Sequence, residues 1–235
     1  MSASALVGTG LTYVIAGRTI LDGVDVRADA GRMLAISGPS GAGKSSLLAV
    51  LGGLLEPAAG EVTLDDAPVR IGDLKLRRRI GLVFQGYGLV TALTARENVA
   101  ITLQARGRPR DEVARRAAAT LAEVGLAEVA DHLIEDMSGG QQQRVAVARA
   151  LVAEPDVLLA DEPTAELDAE NRERIMRLLA AAAAALGSIV AIATHDPDVI
   201  ERCDDVLELD AGRVVGAPAL PVPATGRHRA RPDED

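Results

Sequence analysis

From about residue 24 onward, short apolar runs alternate along the chain with amphipathic stretches. Leu34-Ala35-Ile36, Leu82-Val83-Phe84, Val157-Leu158-Leu159-Ala160 and Ile189-Val190-Ala191-Ile192-Ala193 are each too short for a typical helix and are bounded by polar or glycine residues. Runs without internal polar positions are expected of strands buried on both faces, as in a parallel sheet covered by helices. The pattern therefore predicts an α/β fold. Nearer the N-terminus the signal changes to alternation, as in Val24-Asp25-Val26 and Val62-Thr63-Leu64-Asp65, with glycine-containing turns between. Alternation of this kind predicts short antiparallel strands with one wet face, forming a small β layer beside the main sheet.

Roughly residues 95 to 153 carry no strand signal and read as a helical insertion. Within it, Asp111 to Val124 follows Pro109, places Val113, Ala117, Leu121 and Val124 on one face, and stops at Gly125. A further helix is predicted from about Gln141 to Ala153, ending before Pro155, and another from about Asp168 to Leu186. The latter has acidic residues in its first turn, Glu170/Arg174 and Glu173/Arg177 pairs, and a stop at Gly187. After Gly216 the chain turns to Pro218, Pro221, Pro223 and GRHRARPDED, a composition that reads as a disordered tail.

Composition narrows the function classes. With 34 acidic against 25 basic side chains and only three aromatics, the chain lacks both the basic footprint and the stacking surfaces of a nucleic-acid binder. Cys203 is the single cysteine, so no intrachain disulfide can form and a small, partly buried hydrophobe is the expected role. The start, MSASALVGTG, does not resemble a secretory signal, and the longest uncharged run, Leu178 to Thr194, is too short to span a bilayer and is interrupted by Gly187-Ser188. A cytosolic protein is expected.

Candidate chemistry begins at Gly38-Pro39-Ser40-Gly41-Ala42-Gly43-Lys44-Ser45, which fits the phosphate-loop pattern G-x-x-x-x-G-K-[ST] between an apolar strand and a helix starting near Lys44. Glycines there let backbone N–H groups point at phosphates, the helix N-terminus adds its positive end, Lys44 adds a mobile charge and Ser45 offers a hydroxyl to Mg²⁺. At the end of another buried run stand Asp161 and Glu162. Ligands in open α/β sheets sit beyond the carboxyl ends of the strands, so Asp161 can hold the metal and Glu162 can act as general base toward water. Gln85, His195 and Asp168 also follow strand-like runs and are expected on the same edge, unlike His132 and His228.

Ser138-Gly139-Gly140-Gln141-Gln142 precedes a helix and so forms a second anion-binding N-terminus in a chain that already has one. Two phosphate-type sites are reconciled if the second serves a nucleotide held by another copy, with two chains sandwiching two ATP molecules head to tail.

Taken in order, Gly38 to Ser45, Gln85, SGGQQQR at Ser138 to Arg144, LLADEPT at Leu158 to Thr164, ELD at Glu166 to Asp168 and THD at Thr194 to Asp196 resemble the ATP-binding subunits of ABC transporters over about residues 6 to 215. That resemblance implies a P-loop NTPase, RecA-like core with an antiparallel β subdomain, a helical subdomain inserted at about residues 87–153, and an ATPase domain over residues 1–215 followed by a tail at 216–235. It implies ATP and Mg²⁺ as cofactors. Phosphates would meet Gly38, Pro39, Ser40, Gly41, Ala42, Gly43, Lys44, Ser45 and Ser46, with Mg²⁺ on Ser45, Gln85 and Asp161. Glu162 would be the base, His195 would meet the γ-phosphate, Lys44 and Gln85 would take part in turnover, Tyr13 would stack on adenine, and Asp168 would communicate across the dimer. Ser138, Gly139, Gly140 and Gln141 would contact ATP in trans. Met137 stands where the family usually has Leu, a volume-conserving departure. The implied partners are a second copy of the chain and a separate membrane permease, at the inner face of the plasma membrane. SGGQQQRVAVARAL and LLADEPTAELD look closest to the lipoprotein-releasing and macrolide-export type, which leans toward export or extraction from the membrane. A soluble ABC ATPase such as the iron–sulfur assembly type is the alternative.

Overall fold

The computed structural model describes residues 4–84 and 86–215; Gln85 and the tail predicted after Gly216 lie outside them. Among the described residues ten strands are β1 (Ala5–Ile15), β2 (Arg18–Asp29), β3 (Met33–Ser37), β4 (Ala59–Leu64), β5 (Ala67–Pro68), β6 (Ile80–Val83), β7 (Val157–Asp161), β8 (Ile189–Ala193), β9 (Asp205–Asp210) and β10 (Arg213–Val215). The α-helices are α1 (Lys44–Leu51), α2 (Leu74–Arg77), α3 (Ala95–Gln104), α4 (Arg110–Glu123), α5 (Gly139–Leu151), α6 (Ala169–Leu186) and α7 (Pro197–Ile200).

The main sheet has the order β10-β9-β3-β8-β7-β6, with β9, β3, β8, β7 and β6 all parallel and β10 antiparallel at the edge. Its strands divide their side chains strictly between two cores. Leu158, Ala160, Val190 and Ile192 face the core shared with α3, α4, α5 and α6. Val157, Leu159, Ile189, Ala191 and Ala193 face the core shared with α1, β1, β2 and β4. This two-sided burial is why the four runs lack polar alternation. The second sheet, β2-β1-β4-β5, is antiparallel throughout, as the alternating segments predict.

Helices α3, α4 and α5 fill the interval between β6 and β7. Thr94 caps α3 through a reciprocal capping box with Glu97, and α4 buries Val113, Ala117, Thr120 and Leu121 before Gly125 turns the chain at φ +72°. Helix α6 has Asp168 as its N-cap and Gly187 in the left-handed conformation as its C-cap. Cys203 is half-buried, and desolvation together with Asp204 pushes its thiol up to about 11, which leaves it an unreactive small hydrophobe.

Two sequence expectations need correction. Phe84 ends no strand: β6 stops at Val83 and Phe84 is exposed. Helix α5 begins at Gly139, two residues before the expected start at Gln141, because Ser138 already meets the capping requirement and the glycines turn with the helix. Among the described residues, no helix is long and apolar enough to cross a membrane.

The face of α4 is held by few large side chains, of which Leu121 is fully buried. Truncation to Ala is expected to cost about 2–5 kcal/mol, read from urea unfolding, and a loss under about 0.5 kcal/mol would contradict this packing.

Candidate functional site

The parallel register brings the site together. Ile36 on β3 pairs with Ala193 on β8, and Ala193 pairs with Asp161 on β7, so the chain leaves all three strands on one edge. A cavity of about 640 Å³ opens there, lined by Pro39, Ser40, Gly41, Gly43, Lys44, Ser45 and Ser46 on one side and Asp161, Glu162, Ala165 and His195 on the other. Residues distant in sequence therefore share one concave surface, as expected of a ligand site at the carboxyl edge of a parallel sheet.

The phosphate loop links β3 to α1 through unusual backbone. Gly38 has φ +142°, and a Cβ there would collide with the Leu209 carbonyl, so β9 packs against a position only glycine fills. Lys44 is buried, and its Nζ donates to the carbonyls of Gly38 at 2.8 Å and Pro39 at 3.1 Å. Those carbonyls accept the ammonium's protons. Ala42 is buried beneath the loop rather than lining the cavity, its amide donating to the Pro39 carbonyl at 3.2 Å.

On the carboxylate side, burial pushes the Asp161 carboxyl up, a hydrogen bond from the Ser45 hydroxyl opposes that, and the neighbouring Glu162 adds to it. A desolvated carboxylate beside a second one favours an added cation. Among the described residues there is no cluster of three or more His, Cys, Asp or Glu that would form an all-protein metal cage. Mg²⁺ commonly takes one or two protein oxygens and fills its octahedron with phosphate oxygens and water, so the pair Ser45 and Asp161 suits it.

Glu162 stands at φ +47° and is 8% exposed. His195 Nδ1 lies 2.6 Å from Glu162 Oε1 and donates to it when the carboxylate is ionised; Thr194 Oγ1 donates to Oε2 at 3.2 Å. The His195 side chain is 72% exposed against 10% for Glu162, so the imidazole orients the carboxylate while its far edge stays open to a ligand. Each carboxylate oxygen keeps a lone pair free for water.

The second anion site is not part of this cavity. Ser138 is the exposed N-cap of α5, accepting from the Gln141 amide at 3.3 Å while its own amide donates to Gln141 Oε1 at 2.9 Å. Gln141 therefore spends its side chain on capping. A Cβ at Gly139 would strike the Glu166 carboxylate, and one at Gly140 would press on the Glu166 carbonyl, so both glycines also permit close packing of the loop after Glu162. The Tyr87 hydroxyl binds Glu166 too, and burial together with that acidic partner raises it to about 12.

Other expected site residues are placed elsewhere. Asp168 does not line the cavity; its carboxylate caps α6, accepting from the Asn171 amide at 2.8 Å, and that bond holds its pKa low. Tyr13 lies on β1 opposite Leu21, packed on the core, and the cavity wall on that side comes from Arg18 and Ile20. Gln85 is outside the described residues. The sequence assigns no role to Thr194 or Gln143, although the THD and SGGQQQR motifs contain them, and none to Arg18 or Ile20, which carry no local signal.

Comparison with known proteins finds clear relatives of this chain. A family model described as "ABC transporter" matches residues 21–165. The "Methionine import ATP-binding protein MetN" of Caulobacter vibrioides is 44% identical over 209 residues, covering 87% of this chain and 63% of that protein. The chain thus spans under two thirds of the length of such relatives. Among solved structures, the ATP-binding cassette MJ0796, a dimer in a post-hydrolysis state with ADP and Pi, is similar with a TM-score of 0.83 at 36% identity, covering 89% of this chain and 96% of that one. CbiO1 of Clostridium perfringens, part of the transporter complex cbiONQ, follows with a TM-score of 0.79 at 34% identity, covering 93% of this chain and 89% of that one.

Because burial and Glu162 both disfavour an ionised Asp161, replacing it with Asn is expected to raise the melting temperature of the ligand-free protein at neutral pH. Differential scanning calorimetry checks this, and a lowered melting temperature would contradict the assigned electrostatics.

Proposed function

The chain belongs to the ABC transporter ATP-binding family, and from that premise we propose that it is the ATP-binding and ATP-hydrolysing subunit of an ABC transporter, coupling nucleotide-driven dimerisation to a separate membrane permease. One observation carries the catalytic part: Glu162, nearly buried and held at both carboxylate oxygens, opens on the same cavity as Lys44, Ser45 and Asp161.

In this reading Lys44 exchanges the Gly38 and Pro39 carbonyls for the β- and γ-phosphate oxygens of ATP, while amides of the loop from Gly38 to Ser46 surround the phosphates. Ser45 and Asp161, with Gln85 as a further ligand, would hold Mg²⁺, which would draw charge from the phosphate oxygens. Glu162 accepts a proton from the attacking water, giving ADP and phosphate. His195 keeps Glu162 oriented through Nδ1 and presents its exposed edge to the γ-phosphate. Tyr13, set back on β1 outside the cavity lining, would reach adenine only where the base extends past the wall formed by Arg18 and Ile20.

The separation of Ser138, Gly139, Gly140 and Gln141 from the cavity supports their acting on a nucleotide held by a second copy, with Asp168 near the junction. Dimeric assembly of the similar cassette MJ0796 supports the same arrangement. Residues 1–215 are the ATPase domain with helices of about 87–153 inserted. The family match and the relatives' names as import ATP-binding proteins support a partnership with a separate membrane permease at the inner face of the plasma membrane.

The direction of transport expected from the sequence, export or extraction, is corrected here. Relatives such as the MetN proteins of Caulobacter vibrioides and Xanthomonas oryzae are named as methionine import proteins, and import is the direction we propose. These transporter names also favour the transport reading over the soluble assembly ATPase.

Lys44→Ala is expected to abolish Mg-ATP binding, measured by calorimetric titration, and normal turnover in that variant would sink the site. Glu162→Gln should keep ATP binding, slow hydrolysis by about 10²–10⁴-fold and accumulate an ATP-held dimer on size exclusion, whereas a monomer under all conditions would count against the sandwich.

A further inference from the structure

Glu162 makes five hydrogen bonds, one of them, from the Ala165 amide to its carbonyl at 3.3 Å, within its own loop and the other four to residues outside it. Its amide donates to the Ala193 carbonyl at 2.9 Å, its carboxylate meets His195 at 2.6 Å and Thr194 at 3.2 Å, and its carbonyl accepts from Gln143 Nε2 at 2.5 Å. The first three partners belong to the end of β8 and the residues just beyond it. The fourth comes from α5, the helix whose N-terminus is Ser138-Gly139-Gly140.

Gln143 is 2% exposed, and both ends of its amide are used: Nε2 on the Glu162 carbonyl and Oε1 on the Glu166 amide, at 3.3 Å. A carbonyl can only accept and an N–H can only donate, so this is the one amide orientation that satisfies both contacts. The side chain thus bridges the loop from Glu162 to Glu166. That loop needs an external hold, since Glu162 sits at φ +47°, a conformation that residues with a Cβ keep only where their surroundings impose it.

We infer that Gln143 is a positioning residue for hydrolysis, fastening the Glu162 backbone to the helix that carries Ser138 to Gly140, so that Glu162 is aimed only while α5 is seated. The inference rests on the reading of Glu162 as the group that activates water. It gives α5 a direct mechanical line to the chemistry: a shift of the helix that breaks the Gln143 contacts leaves the Glu162 carbonyl only the Ala165 amide of its own loop, and leaves the residue the three holds from the end of β8 and just beyond it.

Two variants test it. Gln143→Met keeps the length and loses both hydrogen bonds; Gln143→Glu keeps an acceptor for the Glu166 amide but turns oxygen toward the Glu162 carbonyl. In each, kcat for ATP is expected to fall by between about tenfold and a hundredfold while KM moves by less than about twofold. Hydrogen exchange, measured on the same proteins, should accelerate across residues 161–167 while the amides of α5 stay protected. A kcat within about twofold of the parent, a loss carried wholly by KM, or unchanged exchange would overturn the inference. Loss of the fold in both variants, seen by circular dichroism, would assign Gln143 to core packing instead and overturn it equally. If the parent protein turned over no ATP, the proposed function would fall, and exchange across residues 161–167 would still decide whether Gln143 holds Glu162.

Discussion

Adjacent parallel pairing of β3, β8 and β7 is the constraint on which the rest of the molecule depends. Ile36 lies beside Ala193 and Ala193 beside Asp161, so the phosphate loop, the Thr194-His195 turn and the Asp161-Glu162 pair leave the sheet side by side. Burial on both faces fixes that register, because a slip of one residue would exchange the side chains of the two cores. The site therefore inherits its geometry from the most deeply buried part of the protein rather than from its loops.

Charge at this edge is arranged to be completed by a ligand. Lys44 is buried and occupied by two carbonyls of its own loop, and Asp161 is desolvated beside a second carboxylate. Bringing a polyanion and a divalent cation to this place relieves both conditions together: the ammonium gains phosphate partners and the carboxylate gains a counter-charge. Neither relief is available to a neutral ligand, which is why the constellation reads as a nucleotide site rather than a general pocket.

The helix bearing Ser138-Gly139-Gly140 is bound to the catalytic edge more closely than the linear order of motifs suggests. Both glycines lie against Glu166, Tyr87 binds the Glu166 carboxylate, and Gln143 joins Glu162 to Glu166 from beneath. Small residues in the SGG triplet thus have a packing role within one chain in addition to any role toward a second. The loop from Glu162 to Asp168 emerges as the element that α5, α6 and the sheet edge all hold.

Much of this was legible in the chain alone. The uniform apolar runs identified the buried strands, alternation identified the antiparallel layer, and Pro109, Gly125, Asp168 and Gly187 marked helix ends, because periodicity and caps act over a few residues. The spacing around Gly38 to Ser45 identified a phosphate loop for the same local reason. Long-range approach lies beyond that reach. Thr194 and Gln143 lie within quoted motifs, but nothing in those motifs shows that they meet Glu162, and the closing of the cavity by Arg18 and Ile20 with Tyr13 set back on β1 has no local signature at all. Local sequence determined which elements form and which chemistry they carry; only the tertiary structure decided which side chains hold Glu162 in its left-handed turn, since those contacts join residues 19 to 33 positions apart that folding alone brings within hydrogen-bonding distance.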